Sequence, residues 1–181
     1  LSWIGANADA DPQSGTHAID RTWTPVVGHA GVEFAPAAPL RLFLNVDDSY
    51  RAPNLNDMTS RQQTGPGFQF ENAALHPERA DTAELGARLR TPYLVADAWV
   101  FETVLDEAII QVPKTVAECP ENTPSCNGAW SRLQLQNSPS YSELRGAEGA
   151  AKAFLPLRLT LRATISYVWG EGPREIGRAH V

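Results

Sequence analysis

The chain has 181 residues and a formal net charge of −6 without a basic stripe, which argues against a nucleic-acid partner. No apolar run approaches the roughly twenty residues that a membrane helix needs. With 13 Gly and 14 Pro, the composition suits a chain full of turns and excludes a mainly helical protein.

Apolar and polar residues alternate with a period of two in six places, the pattern of a strand with two unlike faces. Val26, Gly28, Ala30, Val32 and Phe34 form the first apolar face, with His29 and Glu33 on the other, before Pro36-Ala37-Ala38-Pro39 turns the chain. Leu40, Leu42, Leu44 and Val46 follow, opposite Arg41, Asn45 and Asp47. A long polar segment then runs from about Tyr50 to Glu78. Ala83, Leu85, Ala87 and Leu89 resume the alternation against Glu84, Arg88 and Arg90. Residues 80–90 have some helix propensity, but the period of two and the neighbouring strands outweigh it.

A tight turn near Thr91-Pro92-Tyr93 leads into a strand from Leu94 to about Leu105, in which Asp97 shares a face with Trp99 and Phe101. A second polar segment, from about Gln111 to Ser140, holds both cysteines. Ala147, Gly149, Ala151 and Ala153 then oppose Glu148 and Lys152, and Leu155-Pro156 turns the chain again. The last strand is the clearest and is expected over Leu157–Trp169. Leu157, Leu159, Leu161, Ala163, Ile165, Tyr167 and Trp169 line one face, against Arg158, Thr160, Arg162, Thr164 and Ser166.

That last strand is about twice the ordinary soluble length, and its apolar face ends in two aromatics, as at the exit from hydrocarbon into headgroups. Short turns fall at one end of three hairpins, and loops of roughly thirty residues at the other. Structureless loops that long are unusual in compact soluble domains and routine in outer-membrane barrels. The mean hydropathy of −0.29 fits a barrel as well, because every second residue faces a polar lumen. The expected class is therefore all-β: an antiparallel transmembrane β-barrel segment of about six long strands, with short periplasmic turns and long extracellular loops. A soluble β-sandwich is the competitor, but its strands are nearer five or six residues and its turns do not sort by end.

Both ends of the chain read as those of a fragment. It starts at Leu1, its sole methionine is Met58, and no signal peptide precedes the strands. Glu175-Ile176-Gly177-Arg178-Ala179-His180-Val181 back-translates to a run like a common sequencing adapter, so 1–174 is read as a partial barrel domain and 175–181 as artefact. Cys119 and Cys126 flank Pro-Glu-Asn-Thr-Pro-Ser, a small loop that a disulfide would pin in an oxidising compartment; free thiols or a metal site are the alternatives, but no nearby ligand set completes the latter.

Two boxes carry the identity. The first polar segment opens with Tyr50-Arg51-Ala52-Pro53-Asn54-Leu55-Asn56-Asp57-Met58 and closes with Asn72-Ala73-Ala74-Leu75-His76-Pro77-Glu78-Arg79-Ala80-Asp81-Thr82-Ala83-Glu84-Leu85-Gly86. Pro53 biases Ala52 toward extended geometry and ends pairing where the loop departs. Arg51 and Glu78 are placed to form an ion pair across the loop's two ends, and Pro77 and Glu78 punctuate a strand start.

In order, spacing and context these boxes resemble those of TonB-dependent outer-membrane receptors, whose barrels carry a Phe/Tyr-Arg-Ala-Pro box at a strand top and an Asn-Pro-Asn-Leu-Lys-Pro-Glu-like box before a Thr-x-Glu-x-Gly strand. The resemblance runs from about Trp23 to Trp169 and rests on Tyr50, Arg51, Ala52, Pro53, Asn72, Leu75, Pro77 and Glu78. It implies energised import of a bulky nutrient, an iron–siderophore or similar chelate, across the outer membrane of a Gram-negative-type bacterium. It also implies outer-membrane lipids as surroundings, and a TonB energy transducer engaged by an N-terminal plug region that this chain does not contain. Six strands cannot close a barrel of that family, and their open edges would leave backbone groups unpaired in lipid, so the segment is not expected to insert alone.

Haem is disfavoured as cargo, because residues 54–71 contain no His. His76 is read as a rim residue; Met58 is the one soft axial ligand on offer and is not assigned that role. Arg61, Gln62, Gln63, Phe68, Gln69 and Phe70, around a Gly65-Pro66-Gly67 turn, combine one cation, amides and two aromatic faces suited to an anionic or aromatic chelate. The bland alternative for this stretch is a solvated loop without a ligand role. No nucleophile elbow, phosphate loop or resident cofactor motif is present, so no enzyme is expected. Asp47-Asp48 and Asp106-Glu107 point to opposite faces as strand neighbours and are not acid–base dyads; cation bridging at the barrel's outer end is a weaker role for them. A passive porin and a soluble secreted β-domain binding carbohydrate or protein are the remaining readings.

Overall fold

In the computed structural model, residues 3–10, 17–65, 67–121 and 123–172 are described. In chain order the strands are β1 (Ile4–Ala8), β2 (Ile19–Trp23), β3 (His29–Ala37), β4 (Leu40–Arg51), β5 (Gln62–Thr64), β6 (Gly67–Phe70), β7 (Glu78–Arg90), β8 (Leu94–Asp106), β9 (Ile109–Pro113), β10 (Arg132–Asn137), β11 (Ser142–Phe154) and β12 (Thr160–Glu171). Two short helices, α1 (Leu55–Thr59) and α2 (Pro124–Gly128), lie between them.

Six long strands form one antiparallel sheet in the order β12-β11-β8-β7-β4-β3. The expected all-β architecture and the expected count of six long strands are both present. One row shows how the pattern is read across the sheet. Val32 lies opposite Leu44, Leu44 opposite Leu85, Leu85 opposite Val100, Val100 opposite Ala147, and Ala147 opposite Tyr167. A second row runs Phe34, Leu42, Ala87, Ala98, Gly149, Ile165. These are the most apolar positions of the sheet, and they are exposed: Leu44 at 52%, Leu85 at 55% and Ile165 at 73%. An apolar face that open has no place in water and suits hydrocarbon.

The other face is polar and laced together. Arg41 bonds Glu33, Arg88 bonds Asp97, Asn45 Nδ2 donates to Glu84 at 3.4 Å, and the Thr82 and Thr103 hydroxyls meet at 2.9 Å. Phe43 and Trp99 pack with ring centroids 5.3 Å apart, with the Arg88 guanidinium over Phe43. The Trp99 ring lies directly on Gly86, where an added Cβ would come within 2.1 Å of it. Glycine at that position is therefore a steric requirement of the indole.

Sequence and structure differ at three places. The long segments between β4 and β7 and between β8 and β11 are not structureless; they contain α1, β5, β6, β9, α2 and β10. Their strands are three to six residues long, too short for a period to declare itself. The last strand starts at Thr160 rather than Leu157, because Leu157 and Arg158 adopt φ of 62° and 61° in a short 3-10 turn. A residue with positive φ cannot continue a strand. Finally, β1 and β2 form an antiparallel hairpin in a region for which alternation predicts nothing. Residues 175–181, read as adapter-derived, and Pro66 of the Gly65-Pro66-Gly67 turn lie outside the described residues.

Every buried large apolar side chain among the described residues lies outside the six-stranded sheet. The core sits beyond one end of it, in a second layer. That layer holds a four-stranded sheet in the order β5-β6-β10-β9 together with the β1–β2 hairpin. Among the described residues no helix is long and apolar enough to cross a membrane.

Candidate functional site: the outer loop layer

The layer begins where β4 ends. Asn54 caps α1, accepting from the Asp57 amide at 2.9 Å while the Asp57 carboxylate accepts from the Asn54 amide at 3.1 Å. This reciprocal box holds the short helix at the departure from the strand. Pro53, the last box residue, is buried there, while Tyr50 and Ala52 are half-buried at the strand tip. Arg51 donates to Glu78, joining the two ends of the first loop as expected, and also reaches Asp57 at 3.1 Å.

Glu78 does more than close its own loop. Its second oxygen accepts the Ile109 amide at 2.7 Å, so it fastens the root of the second loop as well. Asn137 completes this seam from the other side. Its Oδ1 accepts the His76 amide at 2.8 Å, and its Nδ2 donates to the carbonyls of His76 and Glu107. Asn72 spans the loops in the same way, donating to the Leu135 carbonyl at 2.8 Å and accepting the Ala74 amide at 3.0 Å. Sequence reasoning found Glu78 and Asn72 through their boxes. It missed Asn137, one asparagine in a polar segment with no pattern to single it out.

Two small cores fill the layer. Met58 and Leu75 pack with Ala6 and Ile19 of the β1–β2 hairpin, flanked by Leu135. Phe68, Phe70, Cys126 and Ala129 form the other, with Cys119 against it. Cys119 and Cys126 are joined as a disulfide, Cα–Cα 5.9 Å, so the bridge lies against β6 of the first loop. β6 and β10 pair in parallel, Phe68 opposite Arg132 and Phe70 opposite Gln134. At Gly67, with φ of 149°, an added Cβ would sit 2.2 Å from the Ser131 carbonyl oxygen, so only glycine admits this approach.

The predicted contact residues divide accordingly. Phe68 and Phe70 are core residues at 4% and 5% exposure, and the Arg61 side chain is buried against Glu71. Gln62 and Gln63 are exposed, and Gln69 is half-exposed. Met58 is fully buried, while His76 is an exposed rim residue. Among the described residues no three His, Cys, Asp or Glu side chains are grouped to hold a metal ion.

The second loop carries one strongly shifted acid. Glu118 accepts the Thr115 amide at 2.7 Å and bonds Lys114 and the Thr115 hydroxyl, which together hold its carboxyl down to about 2. It is a solvated capping box, well outside the strands.

A sheet with its apolar face outward, turns at one end and a folded loop layer at the other is that of a membrane-spanning β-barrel wall. The match to the TonB-dependent receptor-like β-barrel model spans residues 2–179, and the chain belongs to that family. No curated protein matches it. Similar solved structures include the copper transporter OprC, at 21% identity and TM-score 0.64, covering 86% of this chain and 22% of that one. A Serratia marcescens hemophore receptor, HasR, solved with its hemophore and heme, matches at 19% identity and TM-score 0.66, over 86% of this chain and 23% of that one. The ferric enterobactin receptor PfeA of Pseudomonas aeruginosa matches at 21% identity and TM-score 0.61, over 82% and 22%. This chain thus spans 22–23% of the length of these three proteins, a transporter and two receptors.

Proposed function

We propose that this chain is part of an outer-membrane receptor that imports a bulky nutrient, an iron–siderophore or related chelate, with energy delivered by TonB. The observation that carries this reading is the pairing of a lipid-facing wall with an ordered loop layer fastened to its rim by Arg51, Glu78 and Asn137. A passive pore needs no such folded cap. Receptors similar in fold handle copper, hemophore-borne heme and ferric enterobactin, so a metal-bearing cargo fits their range. Outer-membrane lipids surround the apolar rows, and TonB engages a part of the receptor outside this sequence. The exposed amides Gln62 and Gln63, with the half-exposed Gln69, are the loop residues assigned to ligand contact. No catalytic role is assigned.

The test is uptake of radiolabelled ferric chelates by iron-starved cells with and without the complete receptor gene. Uptake that needs both the gene and TonB supports the reading. Uptake that proceeds equally without TonB makes the protein a diffusion channel, and uptake indifferent to the gene removes the transport role.

A further inference from the structure

The lipid-facing side of the wall is hollowed just inside its outer rim. One step nearer the loops than the row of Val32, Leu44 and Leu85, the positions in register are Ala30, Val46 and Ala83. Two of these three side chains are single methyl groups, so the apolar surface sinks between larger neighbours. With Gly28 and Val104 they line a groove of about 700 Å³, within the size range of small-molecule sites. By parity Val46 lies on the same face as Leu44, so the groove opens toward hydrocarbon and not into the lumen.

The loop-side end of this groove is charged. Asp48 and Asp81 both line it and stand directly opposite each other in the β4–β7 ladder. Like charges so placed destabilise a sheet, and among the described residues neither carboxylate has a hydrogen bond or ion pair. The groove's third acid, Glu102, is held by two Arg145 nitrogens at 2.6 and 2.9 Å, and Arg145 also reaches Glu143 at 3.2 Å. The wall therefore neutralises its acids on the β8–β11 side and leaves the β4–β7 pair uncompensated. Arg79 is exposed on the same face, two residues along β7 from Asp81 and roughly 7 Å away. Two carboxylates with one cation beside them, above an apolar groove, complement a zwitterion that carries a hydrocarbon tail.

We propose that the groove holds one phospholipid with a primary ammonium head, of the phosphatidylethanolamine class. An acyl chain lies along Ala30, Val46 and Ala83, the ammonium sits between Asp48 and Asp81, and Arg79 takes the phosphate. An ammonium has three N–H donors, enough for both carboxylates, and brings the charge that the pair lacks. A choline head carries the same charge without an N–H and makes none of those bonds. A glycerol head leaves the lipid a net anion, which the carboxylates repel. This inference rests on the lipid-facing wall and is independent of the cargo.

The experiment titrates the complete receptor in detergent with dioleoyl phosphatidylethanolamine, its choline and glycerol counterparts, and lipid A with and without calcium. Native mass spectrometry reads the retained lipid. The expected result is one ethanolamine lipid per receptor, held about tenfold more tightly than the choline lipid, the worth of one hydrogen bond to a charged group. Asp48→Asn and Asp81→Asn each remove most of that preference, and Ala83→Trp, which fills the groove, weakens retention of both lipids about tenfold. Unchanged amide protection in the β7–β8 ladder shows that each variant keeps its wall. Equal retention of the ethanolamine and choline lipids, or a preference that survives both Asn variants, overturns the ammonium assignment. Tighter binding of the glycerol lipid, or of lipid A only when calcium is present, overturns it too. Wild-type retention in Ala83→Trp overturns the groove. A receptor that fails the uptake test above but keeps these lipid preferences loses the transport reading and leaves this inference standing.

Discussion

Leu44 and Leu75 are the same residue put to opposite uses a short distance apart in the chain. Leu44 stands in the middle of β4 with half its surface open, in a row of apolar neighbours that are open too. Leu75 is 2% exposed, packed on Met58 and the β1–β2 hairpin. The wall takes its order from ladder hydrogen bonds and ion pairs on its polar face, and leaves its hydrocarbon outside. The loop layer takes its order from burying hydrocarbon, as any small water-soluble domain does. One chain is built for two solvents, and the boundary runs through the Arg51–Glu78 pair.

The sharpest way to break this contrast is to hollow the layer. Met58→Ala in the complete receptor is expected to cost ~2–5 kcal/mol of local stability. Faster amide exchange should then appear at Asn72, whose amide donates to the Met58 carbonyl, while the β7–β8 ladder keeps its protection. Faster exchange in both regions would mean that wall and layer are a single cooperative unit. The reverse substitution is nearly as large. Leu44→Arg places a charge in the lipid-facing row and is expected to lower unfolding stability in lipid vesicles by ~2–4 kcal/mol. An unchanged midpoint would show that this face does not meet hydrocarbon.

The smallest effect concerns pH. The Glu118 carboxyl is depressed from an ordinary 4.5 to about 2, so its box contributes fully above the ordinary value and is lost as pH falls through about 2. Its carbon-13 shift should therefore titrate near 2, and a midpoint near 4.5 would mean that the Thr115–Glu118 box does not form in solution.

The wall was legible because most of its strands repeat one simple alternation long enough to be recognised, with β8 blurred where Asp97 shares a face with Trp99 and Phe101, and because the face assignments of Leu44, Leu85 and Ile165 follow from parity alone. The exception, Leu157, shows the limit: alternation ran on into a turn that only φ reveals. The loop layer was legible only at its hinges, where Arg51, Asn72 and Glu78 sit in boxes. Phe68 and Phe70 looked like ligand aromatics because nothing nearby in sequence claims them; their partners, Cys126 and Ala129, arrive from the other loop. Contacts made between distant segments leave no local period to read.

The parallel pairing of β6 with β10 also bears on how such receptors diverge. The edge that β6 presents to β10 comes from one loop, the disulfide against it from the other, and Asn72, through the Leu135 carbonyl, and Asn137, through the His76 backbone, stitch each loop to its neighbour. Neither loop is a free module. A recombination event, or an engineer, that swaps the first loop for a relative's removes the partner strand, the aromatic floor and half the seam of the second. In this part of the barrel the heritable unit is the pair of loops.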